Sequence, residues 1–277
     1  MKKFSFSQIF FKIFLWAYAF ISLYPLVWMI LYSFKNNEEI FVSNPFGLPK
    51  VFRFENYVNA WSQYNVPVYF LNSLIVASAT VVITIVMAMM FAYATSRMKW
   101  RGKNFVRTYV ALGMFIPVQA VLIPVTRIVQ DLGLSGSHWA LIVPYTAFNL
   151  AFATLVFYGF FIGLPEELEE AACIDGANIF QTFFLIIVPT VKPAIATLGI
   201  FTFLNSWNEF ILANVLVMDQ NLKTLPLGIL FFQGQFTTDW GAMGATMVIA
   251  SLPTVLVYTL FSNQVEKAIT ISGAVKG

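Results

Sequence analysis

Six apolar runs, separated by short segments that carry most of the charge, organise this chain: Phe10 to Tyr32, Val68 to Thr95, Thr108 to Val125, Trp139 to Ile162, Pro193 to Met218 and Gly244 to Phe261. Crossing a hydrocarbon core of about 30 Å takes roughly 20 apolar residues wound as helix, because the backbone must satisfy its own hydrogen bonds there. Each run therefore predicts a membrane-spanning helix. Ten-residue segments of alternating polarity, the mark of a membrane barrel, do not occur, and Pro25, Pro117, Pro144 and Pro253 are tolerable inside membrane helices. Between the first two runs, Phe54 to Gln63 reads as a short amphipathic helix lying at the interface with Tyr57 and Trp61. The expected organisation is one all-α membrane domain. It has a peripheral first helix at about 10–32, a core over about 68–262, a polar loop at about 163–192 and a tail at about 263–277.

Composition agrees with a membrane solvent: 59% of residues are hydrophobic, 10% are charged, mean hydropathy is +0.76, and 30 of 277 residues are Phe. A soluble domain departs from these values in every term. Cytoplasmic flanks of membrane helices carry excess Lys and Arg. Lys2, Lys3 and Lys12 open the chain, and Arg97, Lys99, Arg101, Lys103 and Arg107 follow the second run without an acid among them. Both are placed in the cytoplasm, together with Lys192, Lys267 and Lys276, which puts both termini inside. Lys35, Lys50, Arg53, Arg127 and Lys223 are left for the outside. The net charge of +3 is thereby explained by topology and anionic lipid rather than nucleic acid. The N-terminal Lys-Lys and apolar run imitate a signal peptide, but the run is too long and lacks a small-residue cleavage site, so it reads as an anchor. The single cysteine, Cys173, reads as a small packing residue.

Residues 166–189, EELEEAACIDGANIFQTFFLIIVP, interrupt the apolar pattern. Pro165 ahead of Glu166, Glu167, Glu169 and Glu170 favours a helix start through fixed φ and the N-terminal dipole. That helix is expected to run to about Asp175. Gly176 supplies a residue able to take positive φ, and a second helix is expected from about Ile179 to Val188-Pro189. Phe180, Phe183 and Phe184 recur at helical spacing, to bury against the bundle or to fill a pocket on a partner. A clustered charge run also serves simply to keep a loop soluble.

The order Glu170-Ala171-Ala172, three residues, Gly176, nine residues, then Ile186-Ile187-Val188-Pro189 resembles the EAA loop of permease subunits of ABC importers. Val188 departs conservatively from the usual Ile-x-Leu-Pro ending. Asn72-Ser73-Leu74, Ala92-Tyr93-Ala94, Ile116-Pro117, Ile123-Pro124, Gly133-Leu134 and Gly163 to Leu168 resemble the carbohydrate-uptake branch. So do Trp207-Asn208-Glu209-Phe210, Thr224 to Gly228, Asp239-Trp240-Gly241 and Gly273 to Gly277; the first 60 or so residues match only in topology. The resemblance implies the type I importer fold, with six spans, a cytoplasmic coupling helix and both termini cytoplasmic, in the cytoplasmic membrane of a bacterium or archaeon. It implies that Glu167, Glu170, Ala171, Ala172, Asp175, Gly176, Phe180 and Pro189 dock on a cytoplasmic ATPase. It also implies a second, similar permease forming a heterodimer, two ATPase subunits holding ATP and Mg, an external or periplasmic solute-binding protein, and a sugar substrate, an oligosaccharide. The small tail from Gly273 to Gly277 would be flexible and insert between the ATPases.

Glu209 is the carboxylate inside a predicted span, at about 24 Å from Pro193 by helical rise. Such a residue either faces the bundle interior and serves function or reaches the outer interface. Thr202, Asn205 and Glu209 share one helical face, with Trp207 and Asn208 nearby; amides, a carboxylate and an aromatic suit a sugar path, and a polar stripe equally suits interhelical contact. Gln233, Gln235, Asp239 and Trp240 can meet the binding protein or form an ordinary polar loop. Gly159 and Gly163 read as helix packing, and Trp139, Trp240 and Tyr145 as interfacial anchors. His138, the one histidine, cannot build a metal site alone, so no metal is expected. Gly102-Lys103 lacks the upstream glycine of a P-loop and is followed by Asn104, so the chain reads as no ATPase and binds no cofactor itself. The rival reading is a self-sufficient secondary transporter with Glu209 carrying a proton; the resemblance also admits a non-sugar solute such as glycerol phosphate.

Overall fold

The computed structural model describes the backbone of residues 6–232 and 238–274, with side chains over 10–230, 232 and 238–261. Every regular element among these residues is helical. Four helices contain stretches long and apolar enough to cross a membrane alone: Phe10–Tyr32, Val66–Ser96, Trp139–Ile162 and Trp240–Phe261. Two bent pairs, Lys103–Phe115 with Val118–Asp131 and Ile179–Thr190 with Lys192–Trp207, raise the number to six if each counts as one span. The chain divides into two compact units, residues 1–67 with 228–252, and residues 68–227 with 253–277.

In the first unit the helix Phe6–Tyr32 presents apolar side chains outward from Phe10 to Ile30, as a helix facing lipid should. The amphipathic element forms as Glu55–Gln63, burying Asn56 and Ala60. Asn65 then takes φ 54°, a left-handed conformation that Asn tolerates, and turns the chain into Val66–Ser96. Asn56 holds the segment after the first helix by donating Nδ2 to the carbonyls of Ser33 and Lys35, at 2.8 and 2.9 Å. Lys35 is buried, its Nζ donating to the carbonyl of Asn44 at 2.7 Å. A Cβ on Gly241 would sit 2.5 Å from both Asn56 Nδ2 and the Lys35 carbonyl, so the start of the last helix can approach this segment only without a side chain.

The second unit has two apolar cores. Ala88, Ala92, Ala153 and Ala194 are fully buried around Phe157, Phe161, Ile187 and Leu198, small residues that let helix backbones come close. A second cluster gathers Val76, Leu141, Tyr145, Leu212, Ala213 and Leu227.

Two predicted spans are not continuous. Thr108 to Val125 breaks after Phe115 and the two halves meet at 99°. Ile116 takes ψ 110° and Pro117 ψ 131°, because the proline ring excludes its predecessor from the helical region and supplies no N–H. Pro25, Pro144 and Pro253 do remain inside helices. Pro193 to Met218 divides into Lys192–Trp207 and Ile211–Leu216. The last helix runs from Trp240 to Ala274, well beyond Phe261, so Gly273 and Ala274 are helical rather than part of a loose tail. From Ser262 to Ser272 the sequence has no glycine or proline to stop propagation. Val275 to Gly277 lie outside the described residues, as do Lys2, Lys3, Gln233 and Gln235.

Candidate functional site

The helix expected after Pro165 forms as Glu167–Ile174. It closes with a Schellman arrangement: Gly176 N–H donates to Cys173 O at 3.1 Å and Ala177 N–H to Ala172 O at 2.9 Å. Gly176 has φ +81°, and a Cβ there would meet nothing within 4 Å, so the glycine is required by backbone conformation and not by space. Asn178 begins the next element with a capping box, accepting from Gln181 N–H at 3.0 Å while Gln181 Oε1 accepts from Asn178 N–H at 2.8 Å. A π-helical stretch over Thr182–Ile187 follows, then a helical turn Val188–Thr190. The sequence had signalled the glycine turn but not the capping box or the π stretch.

This segment displays one charged surface. Glu167, Glu170, Ala171, Asp175, Gly176, Phe180 and Pro189 are exposed, whereas Ala172 is turned inward. Phe183 is buried beside Tyr93, with ring centroids 5.0 Å apart, and Phe180 and Phe184 are left outside. Cys173 is exposed, which corrects its reading as a packing residue; it lies next to Ala172 on the turn that faces away from the core.

Glu209 lies in the break between Lys192–Trp207 and Ile211–Leu216, not on a continuing helix face with Thr202 and Asn205. Its Oε1 accepts from Leu212 N–H at 2.8 Å, and its Oε2 accepts from Ala213 N–H at 3.1 Å and from the Tyr145 hydroxyl at 2.6 Å. A broken helix leaves its first N–H groups without partners, and this carboxylate supplies them while complementing the positive end of the dipole. Tyr145, 2% exposed, is therefore a buried partner of Glu209 and not an interfacial anchor.

The remaining residues of the stripe separate. Thr202 and Trp207 are buried, the Trp207 ring lying against Phe70 and Phe203. Asn205 and Asn208 are exposed, and Asn205 Nδ2 donates to Asn149 Oδ1 at 3.3 Å. Asn149 and Asn205 thus form an accessible amide pair. Nothing within 4 Å would meet a Cβ on Gly159, and one on Gly163 would meet only carbonyls of the same turn, so these glycines do not mediate packing within the described chain.

A second polar cluster had no sequence signal beyond the Asn-Ser dipeptide. Asn72 Nδ2 donates to the carbonyls of Asn221 and Lys223, at 2.7 and 3.0 Å, and Asn72 Oδ1 lies 2.9 Å from His138 Nε2. Ser73 Oγ accepts from Leu225 N–H at 2.8 Å. The head of the Val66–Ser96 helix thereby fixes the segment 219–227.

In the first unit, Asp239 caps the last helix, its Oδ1 accepting from Ala242 N–H at 3.0 Å, and Trp240 packs edge-on against Phe41. Asp239 also lines an open polar cleft with Asn36, Asn37, Arg53, Asn59 and Tyr64. Outside the candidate spans, the Glu39 carboxyl is held below its ordinary value, first by the Lys50 N–H at 2.6 Å. Among the described residues no three His, Cys, Asp or Glu side chains approach as a metal site would require.

A family model described as binding-protein-dependent transport system inner membrane component matches residues 81–271. The chain is 38% identical to a probable ABC transporter permease, YurM, of Bacillus subtilis (strain 168), over 96% of this chain and 87% of that one. It is 35% identical to the diacetylchitobiose uptake system permease NgcG of Streptomyces coelicolor, over 91% and 84% of the two chains. It is 34% identical to the trehalose/maltose transport system permease MalG of Thermococcus litoralis, over 94% and 93%. Among solved structures, a chain of a bacterial ABC transporter involved in the import of the acidic polysaccharide alginate superposes with a TM-score of 0.81 at 23% identity, covering 95% of this chain and 99% of that one. That likeness establishes the ABC importer permease fold.

Proposed function

Since this chain belongs to the family of binding-protein-dependent transport system inner membrane components, we propose that it is the permease subunit of an ATP-driven importer and forms, with a second permease, the path of a sugar, an oligosaccharide. The observation that carries the reading is the 163–192 segment. It ends its first helix in a turn that only positive φ permits and leaves Glu167, Glu170, Ala171 and Asp175 at the surface. A short helix of fixed exit angle with accessible carboxylates suits docking into a basic cleft on an ATPase. Movement of the ATPases then becomes movement of the spans. On this reading the 97–107 and 163–192 segments face the cytoplasm with both termini, six spans cross a bacterial or archaeal cytoplasmic membrane, and the 219–243 region faces the binding protein. Energy comes from ATP and Mg held by the two ATPase subunits.

Sugar as cargo is supported by relatives whose names specify diacetylchitobiose and trehalose/maltose. The exposed amides of Asn205 and Asn208, with the half-buried Asn149 beside Asn205, offer the donors and acceptors that hydroxyl-rich solutes need. Glu209 fits poorly as a proton carrier, because both its oxygens already accept hydrogen bonds that hold a broken span. Reconstitution of the chain with its second permease, ATPase and binding protein in vesicles tests the proposal. Uptake of a labelled oligosaccharide should require ATP, and Asn205→Leu should lower uptake several-fold with the complex still assembled. Uptake driven by a proton gradient without ATP would contradict it.

A further inference from the structure

Arg97, at the end of the Val66–Ser96 helix, sits where three elements meet. Its Nη2 donates to the carbonyls of Phe161 and Leu164, at the end of Trp139–Ile162 and in the turn that follows. A cation on the last carbonyls of a helix completes acceptors that the helix leaves open and matches its dipole. The same guanidinium faces Glu169 on the Glu167–Ile174 helix, with Nε 3.9 Å from Oε1. The two side chains are only 7% and 24% exposed, and both of those atoms are buried without a hydrogen-bond partner. The Tyr93 hydroxyl also lies against Glu169. A buried donor and a buried acceptor of opposite charge thus confront each other about 1 Å beyond hydrogen-bond reach. Leaving such atoms unmade is costly, and a small approach of the Glu167–Ile174 helix removes the cost for both at once.

We propose that Arg97 and Glu169 form a latch, open in this structure, that closes when the Glu167–Ile174 helix is pressed toward the bundle. Arg97 then acts as a positioning residue: directly following one span and bonded to the end of another, it passes the displacement of Glu169 to both. The proposal rests on the reading of 163–192 as the ATPase-coupling segment. It assigns Glu169 a role unlike that of its neighbours Glu167 and Glu170, which are exposed and free to meet a partner. A contact that exists in one state and not in another is what a two-position lever requires.

The test uses the complete complex in vesicles, carrying Glu169→Gln, Glu169→Asp or Arg97→Lys. Glu169→Gln leaves the carbonyl bonds of Arg97 in place and removes only the charge partner. The pair already attracts at 3.9 Å although its hydrogen bond is unmade, so the resting complex should lose some thermal stability and keep its ATPase. Solute moved per ATP hydrolysed should fall about tenfold, since a tenfold loss corresponds to one charge-assisted hydrogen bond. Glu169→Asp keeps the charge on a shorter arm and should recover part of the ratio. Arg97→Lys, a point charge that cannot serve the carbonyls and Glu169 together, should lower it. A wild-type ratio in Glu169→Gln overturns the latch, and if the resting complex is destabilised with that ratio unchanged the pair is a static support. Loss of the ATPase from Glu169→Gln alone would make Glu169 a docking contact instead. Absence of the ATPase from the wild-type complex would overturn the coupling reading itself.

Discussion

Glu209→Gln separates a structural carboxylate from a proton carrier. Glu209 accepts two backbone N–H groups and one hydroxyl, with the Leu212 N–H on one oxygen and the Ala213 N–H and Tyr145 hydroxyl on the other. A glutamine offers one acceptor oxygen and one donor NH2. If its oxygen takes the place of Oε2, the Ala213 and Tyr145 contacts survive as neutral bonds and the Leu212 N–H faces a donor. If it takes the place of Oε1, the Ala213 N–H does. One N–H is orphaned either way, at about 1–3 kcal/mol, and the surviving bonds lose their charge assistance, so the variant should cost about 2–4 kcal/mol. Glu209→Ala orphans all three donors and should cost more, though less than a simple sum because the three share one partner. Tyr145→Phe removes a single bond to a charged group and should cost about 1.5–3 kcal/mol. The assay is thermal unfolding of the purified complex beside ATP-driven uptake per folded complex at two pH values. Stability should rank wild type above Glu209→Gln above Glu209→Ala, and Glu209→Gln should keep substantial uptake. A Glu209→Gln complex as stable as wild type but devoid of uptake would refute the capping argument and restore a protonation role.

Gly176→Val forces a β-branched residue to φ +81°, costing more than the roughly 1–2 kcal/mol of an ordinary side chain there, while meeting no neighbour. Transport-stimulated ATP hydrolysis should collapse in Gly176→Val and largely survive in Gly176→Asn; a normal rate in the valine variant would defeat the lever. Ser73→Ala removes the acceptor of the buried Leu225 N–H and should cost about 1–3 kcal/mol, read as faster limited proteolysis within 219–227. Glu39, whose carboxyl is held below its ordinary value of 4.5, contributes stability that is complete above that value and disappears as pH falls through its lower folded value. Glu39→Gln should therefore flatten the stability profile below pH 4.5, and an unchanged acid limb in unfolding measurements would contradict the assignment.

Continuous apolar runs are readable in detail: Trp139 to Ile162 has the bounds at which the helix occurs, and Phe10 to Tyr32 lies within the helix Phe6–Tyr32 and shares its end. Their ends are set by local polarity, which a sequence displays directly. The interruptions at Ile116-Pro117 and Asn208-Glu209 do not show in hydropathy, which cannot register a change of direction, and Pro117 does not stand apart in the sequence from Pro25, Pro144 and Pro253, which stay inside helices. The Glu167–Ile174 helix and its Gly176 exit were legible because charge at a helix start and glycine at its end act through the backbone alone. The work of Tyr145, Asn72 and Arg97 was hidden for the opposite reason. Their partners lie 64, 149 and 72 positions away and become neighbours only when the helices pack. Glu209 stands out in the sequence as a charge within an apolar run, but its chemistry depends on a helix break that its own carboxylate stabilises.

The most direct test of the central claim is affinity purification of the chain from its native membrane in mild detergent, with mass spectrometry of stoichiometric partners and Gly176→Val in parallel. A P-loop ATPase and a second permease recovered with the wild type, with the ATPase diminished in the variant, is the predicted result. A chain that purifies alone and moves solute without ATP would contradict it.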